Sequence, residues 1–170
     1  MLTDEKRDFP LAYHITINCY GCWLHGEPGS VDRHCNRNDS DHPPTNDSLF
    51  GFERESLTQP PYTLDAARRK AVMAAIKEVC VYRGWILFAA HVRSRHIHAV
   101  VQADARPEKV MSDFKAYASR RLNRDGFESK CRKRWARHGS TKYKWTWQEV
   151  QNTMNYVLRK QGEPMEVYER

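Results

Sequence analysis

The chain has 170 residues, 40% hydrophobic and 11% aromatic, enough for one domain (1–170) with a sizeable core. No apolar run reaches membrane-helix length, the start MLTDEKRDF lacks a signal peptide's apolar stretch, and five cysteines suit free thiols, so a cytoplasmic protein with no membrane partner is expected. The net charge of +7 is uneven: residues 106–160 carry 15 Lys and Arg against 5 Asp and Glu, while the remainder is net acidic, which favours a polyanion such as nucleic acid as partner.

Ala12–Cys19 (AYHITINC) alternates as a strand, with Ile15 and Ile17 on one face and His14, Thr16 and Asn18 on the other. Residues 26–48 are polar and rich in Gly, Pro and Asn, and read as a long surface loop. After the Pro60–Pro61 linker, helical spacing of Leu64, Ala67, Ala71 and Val79 predicts a helix over Thr63–Tyr82, with Thr63 as N-cap and Gly84 beyond its end. Trp85–Val92 and His96–Val101 are apolar runs joined by Arg93-Ser94-Arg95, the pattern of an antiparallel hairpin. Pro107 opens a helix running to about Leu122. Residues 129–146 are basic and aromatic, with one or two short strands. A last helix spans about Thr146–Lys160, with Thr146 and Glu149 spaced as a capping box, and a short charged tail follows. This order predicts an α+β fold with a central antiparallel β-sheet flanked by helices.

His96 and His98 stand two positions apart in a strand, so their side chains share a face. Neutral imidazoles on a rigid strand suit a divalent metal, although a packed strand explains such a pair equally well. Two nitrogens are too few for a closed structural zinc site and fit an ion with open positions for substrate oxygens. His91 would join them only if the hairpin register brings it to their face, and His14 and Asn18 only if their strand lies alongside. In the last helix, Tyr156 sits among Asn152, Asn155, Arg159, Lys160 and Gln161, a more polar neighbourhood than a packing stripe requires. A phenol is a weak nucleophile at neutral pH, but cationic neighbours and a polarised phosphate would offset that.

The opening strand YHITINCYGCWLHG (13–26), the motif HIHAVV (96–101), the helix at 107–122 and the tyrosine helix at 147–161 together resemble the IS200/IS605-like single-tyrosine transposases and their REP-associated relatives. These belong to the endonucleases with a histidine–hydrophobic–histidine (HUH) motif. The resemblance implies a ferredoxin-like sheet flanked by helices, with His96 and His98 binding Mg²⁺ or Mn²⁺ to orient a phosphate of single-stranded or hairpin DNA. It implies that Tyr156 attacks that phosphate, leaving a 5′-phosphotyrosine and a free 3′-hydroxyl. Family members often carry an amide one helical turn after the tyrosine. Here that position is Lys160, and Gln161, one residue later, is the expected third metal ligand if the helix end unwinds before Gly162. Arg95 stands where the family often has asparagine. Insertion-sequence members are commonly homodimers, whereas REP-associated relatives can be monomers.

In this setting the basic stretch at 129–145 is the expected DNA surface. Lys130, Arg132, Lys133, Arg134, Lys142 and Lys144 would meet phosphates, and Trp135, Tyr143 or Trp145 would stack on bases. Arg120, Arg121 and Arg124 would extend the field, as would Arg159 and Lys160. Two rival readings keep nucleic-acid binding without this chemistry. One is a zinc-stabilised module built on Cys19-x-x-Cys22 with His25, His34, Cys35 and His42, and the other is a non-catalytic descendant of the same fold.

Overall fold

The computed structural model describes residues 9–27 and 44–170; most of the polar loop expected at 26–48 lies outside them. Five strands form one antiparallel sheet, in the order β4-β1-β3-β2-β5. They are β1 (Ala12–Cys19), β2 (Ile86–Val92), β3 (His96–Gln102), β4 (Trp135–Lys144) and β5 (Glu166–Glu169). Helices α1 (Asp47–Glu55), α2 (Ala66–Arg83), α3 (Pro107–Arg124) and α4 (Trp147–Arg159) complete the described elements. The architecture is the expected α+β one, and the strand carrying the two histidines is its central strand.

Period-2 alternation gives the sheet two differently covered faces. Tyr13, Ile15 and Ile17 of β1 and Ile97, Ala99 and Val101 of β3 point into the larger core, with Val72, Ile76 and Val79 of α2 and Val110, Phe114 and Leu122 of α3. On the opposite face a smaller cluster joins Ala12, Ala89 and Val100 to Val150, Val157 and Leu158 of α4. A bulge between Leu87 and Ala89 lets Phe88 also pack toward α4, where its ring meets Trp147 edge-on at 5.8 Å. The polar residues of β1 and β3 lie on this second face, which the small apolar cluster covers only near Ala12 and Val100.

Local chemistry accounts for the element ends. The helix expected from Thr63 begins three residues later, because the Leu64 N–H is taken by the Ser94 carbonyl at 2.8 Å. Asp65 is the N-cap instead, accepting from the Arg68 N–H at 2.8 Å. Gly84 closes the helix with φ +69°, a conformation that suits glycine. Thr146 and Glu149 form the expected capping box of α4. The stretch expected to hold one or two short strands is one ten-residue strand, β4, bulged against β1 between Ile17 and Cys19.

Candidate active site

The β1–β3 and β2–β3 registers build the site. Thr16 and His91 both lie directly opposite His98, and Asn18 lies opposite His96, so all five side chains share the α4 face. His98 Nδ1 is 3.0 Å from Thr16 Oγ1 and 3.2 Å from His14 Nε2. The His96 and His98 rings are 4.9 Å apart. Tyr156 reaches over them from α4, its ring 6.0 Å from that of His98 and 6.2 Å from that of His14, and 44% exposed.

Helix α4 ends at Arg159, with Lys160 as its C-cap and Gly162 turning the chain at φ +78°. That early end places the Gln161 side chain beside both His96 and His98, where it favours their protonated forms against the effect of burial. His91 holds the turn in place. It is fully buried, its Nδ1 is 3.0 Å from the Val157 carbonyl, and its Nε2 accepts the Met165 N–H at 3.2 Å. With both nitrogens engaged, His91 has none to offer a metal; it brackets the segment that carries Gln161. Arg93 adds a bond to the Glu163 carbonyl at 3.0 Å.

Burial sets the charge state of the cluster. It lowers His14 and His96 to about 4 and His98 to about 2, the first helped by Lys144 and Lys142 and the last by His14 and His96. All three rings are neutral at pH 7, the form that ligates a cation. A depressed folded-state value means that the unfolded chain, titrating near 6.5, takes up protons that the folded chain refuses. The cluster therefore costs nothing above about pH 7 and erodes stability as the pH falls from about 6.5 toward 4. Urea unfolding of chelator-treated protein should show a loss of at least about 2 kcal/mol between pH 7.5 and pH 5, above the range where most carboxylates titrate.

The donor set fits a divalent metal. His96 Nδ1 is buried without a hydrogen-bond partner among the described residues, and Gln161 stands beside the ring. His98 is anchored through Nδ1, which leaves its Nε2 toward the open side, the arrangement of a ligating histidine oriented by its second nitrogen. Among the described residues no group of three or more His, Cys, Asp or Glu side chains could hold a metal ion; the set here is two imidazoles and an amide. Cys19 and Cys22 are buried thiols donating to the Ser94 carbonyl at 4.0 Å and the Tyr62 carbonyl at 3.5 Å. Burial raises the Cys19 thiol, which is protonated in this structure. His25 pairs with Glu53 at 2.6 Å, whereas His34, Cys35 and His42 lie outside the described residues.

The basic residues are dispersed. Lys142, cross-strand from His14, and Lys144, opposite Ala12, flank the histidine face, and Arg159 and Lys160 end the tyrosine helix. Lys130 is exposed. Arg120, Arg121 and Arg124 lie on α3, on the other side of the sheet, where Arg121 and Arg124 pair with Asp125 at 2.8 and 3.7 Å and Arg120 covers Tyr117. Arg132 bonds the carbonyls of Pro60 and Pro61 at 2.8 and 3.1 Å, and Lys133 bonds Thr58 at 2.7 Å. Arg134 is 4% exposed and held by Glu128 and Asn123 at 3.3 and 2.7 Å, a structural role in place of the expected phosphate contact. Trp135 also serves the fold, donating to Ser119 at 2.9 Å, whereas Tyr143 and Trp145 are about half exposed and nearly parallel at 6.2 Å.

Fold and site together define an α+β domain that sets a histidine pair on its central strand against a tyrosine on its last helix. The family described as IS200-like transposases matches residues 62–159, a stretch that contains His96, His98 and Tyr156, and the chain belongs to that family. Its general function is therefore that of a transposase-class, nuclease-like protein. β1 and Gln161 fall outside the matched stretch. Among solved structures, a REP-associated tyrosine transposase bound to a REP hairpin is 12% identical, covering 92% of this chain and 71% of its own, with a TM-score of 0.49. A protein from Deinococcus radiodurans R1 assigned as a transposase is 11% identical, covering 90% and 93%, with a TM-score of 0.46. No curated protein matches the chain.

Proposed function

We propose that this chain is a metal-dependent endonuclease and strand transferase acting on single-stranded or hairpin DNA, with Tyr156 as nucleophile. The observation that carries the reading is the meeting of Tyr156, His98, His96 and Gln161 on the open part of one sheet face. His96, His98 and Gln161 would hold Mg²⁺ or Mn²⁺, and such an ion supplies polarisation of a phosphate oxygen and neutralisation of its charge.

The step balances without hydrolysis. Tyr156 Oη forms a bond to phosphorus as the bond to the 3′-oxygen breaks; the phenolic proton leaves to solvent and the departing 3′-oxygen takes one up. The product keeps one phosphodiester, now to tyrosine through the 5′-phosphate, so a second 3′-hydroxyl reverses the chemistry and joins strands. Lys142, Lys144, Arg159 and Lys160 stand where the DNA backbone would pass the site, and Lys130 adds charge at a distance. Tyr143 and Trp145, stacked on one another and half exposed at the end of β4, offer ring surface to unpaired bases, with Tyr143 also edge-on to Tyr13.

The test incubates the protein with Mn²⁺ and single-stranded DNA hairpins, then denatures it. A protein–DNA adduct that survives denaturation and fails to form in excess EDTA is the expected result. Adduct yield unaffected by EDTA would remove the metal from the reading.

A further inference from the structure

Trp23 lies just beyond β1, and its backbone adopts φ 58°, the one positive value on a non-glycine residue among those described. For a residue this bulky that conformation costs roughly 1–3 kcal/mol and persists only where the surroundings enforce it. Its indole N–H is buried with no partner among the described residues, although a buried tryptophan normally finds one. The position therefore makes no use of the hydrogen bond. What it uses is the breadth of the ring. One side packs on the main core, the indole meets the His96 ring at 5.7 Å and 69°, and the Arg95 guanidinium lies 5.1 Å from the indole centroid. Arg95 is in turn held by Glu27 at 2.5 Å. The chain of contacts runs Glu27–Arg95–Trp23–His96, and it accounts for an arginine immediately before the histidine motif.

His98 has Thr16 and His14 on its Nδ1 to fix its ring. His96 Nδ1 has no such partner, so its orientation depends on packing. We infer that Trp23, clamped by Arg95 and Glu27, is a positioning residue that holds the His96 ring, with Nδ1 buried, beside His98 and Gln161, a steric substitute for the hydrogen bond that normally orients a ligating histidine. This rests on the metal reading above.

The test compares wild type, Trp23→Leu, Trp23→Phe, Arg95→Gln and His96→Ala for Mn²⁺ binding by electron paramagnetic resonance of the free ion. Single-stranded DNA binding in EDTA and thermal unfolding are measured alongside. Trp23→Leu should weaken Mn²⁺ by about tenfold or more, Trp23→Phe should recover most of that, and metal-free DNA binding should stay within about twofold. Arg95→Gln should weaken Mn²⁺ in the same direction, by about threefold, without removing a core ring. A folded Trp23→Leu that binds Mn²⁺ like wild type overturns the inference. If Trp23→Leu does not fold, an unchanged Mn²⁺ affinity in Arg95→Gln overturns it instead. Equal Mn²⁺ binding by wild type and His96→Ala would show that the metal reading itself fails, and the inference with it.

Discussion

Tyr156→Phe should leave the protein folded and abolish its joining to DNA. The ring is 44% exposed and touches His14 and His98 by its edges, contacts that phenylalanine keeps. Only the hydroxyl is lost, so unfolding free energy should change by no more than about 0.5 kcal/mol, as at an exposed site. The hydroxyl is also the atom that would attack phosphorus. Removing a covalent nucleophile costs far more than weakening a contact, and adduct formation should fall on the order of a thousandfold or more, to assay background. Binding of uncleaved DNA should be unchanged within about twofold, since the phosphate contacts come from other side chains. Gel analysis of denatured adducts and a urea titration of the same variant check both halves of this expectation.

The second large effect separates the two histidines. His96→Ala and His98→Ala should each weaken Mn²⁺ at least about a hundredfold, since loss of a ligand exceeds loss of its outer partner. Their effects on stability should differ. Truncating His98 strips Thr16 and His14 of their shared partner in a buried setting and should cost about 1–3 kcal/mol. Truncating His96 removes a ring whose Nδ1 already lacks a partner and should cost under about 1 kcal/mol. Calorimetric Mn²⁺ titration with urea unfolding of both variants checks the contrast. Equal destabilisation would mean that His96 carries an anchoring load absent from this account.

The parts of the fold that were legible carried periodic or capping signals. β1 showed its alternation, the β2–β3 hairpin its two apolar runs, α2 its terminal glycine, and α4 its capping box. Two elements gave no such signal. α1, DSLFGFERE, is short, buries none of its residues and has Gly51 in its interior, so its few apolar residues seat on no core that would mark it. The signal that remains is Asn46, which caps it by accepting from the Leu49 N–H at 3.0 Å. β5, EVYE, is a four-residue edge strand specified by its pairing with Ala89–Val92, which only the assembled sheet supplies.

The site divides along the same line. The i, i+2 spacing of His96 and His98 placed them on one face, and the polar setting of Tyr156 marked it out. The contact between His14 and His98, and the two bonds of His91, depend on registers between strands far apart in sequence. Within the basic run, net charge conceals which residues serve the fold. Arg134 sits in the same lysine and arginine run as its exposed neighbours and is distinguished by its burial, and Trp135 by its bond to Ser119. Trp23 was visible only as part of a quoted motif, because its backbone conformation and its contact with His96 appear in three dimensions.

The most direct test of the central claim identifies the bond that forms between protein and DNA. An oligonucleotide labelled at both ends is allowed to react with Mn²⁺, the adduct is digested, and the DNA-bearing peptide is sequenced by mass spectrometry. The account predicts one modified residue, Tyr156, joined to the 5′-phosphate of the downstream strand, while the released upstream strand ends in a 3′-hydroxyl that a polymerase extends. Attachment at another residue, or cleavage that leaves a free 5′-phosphate with no adduct at any time, would contradict it.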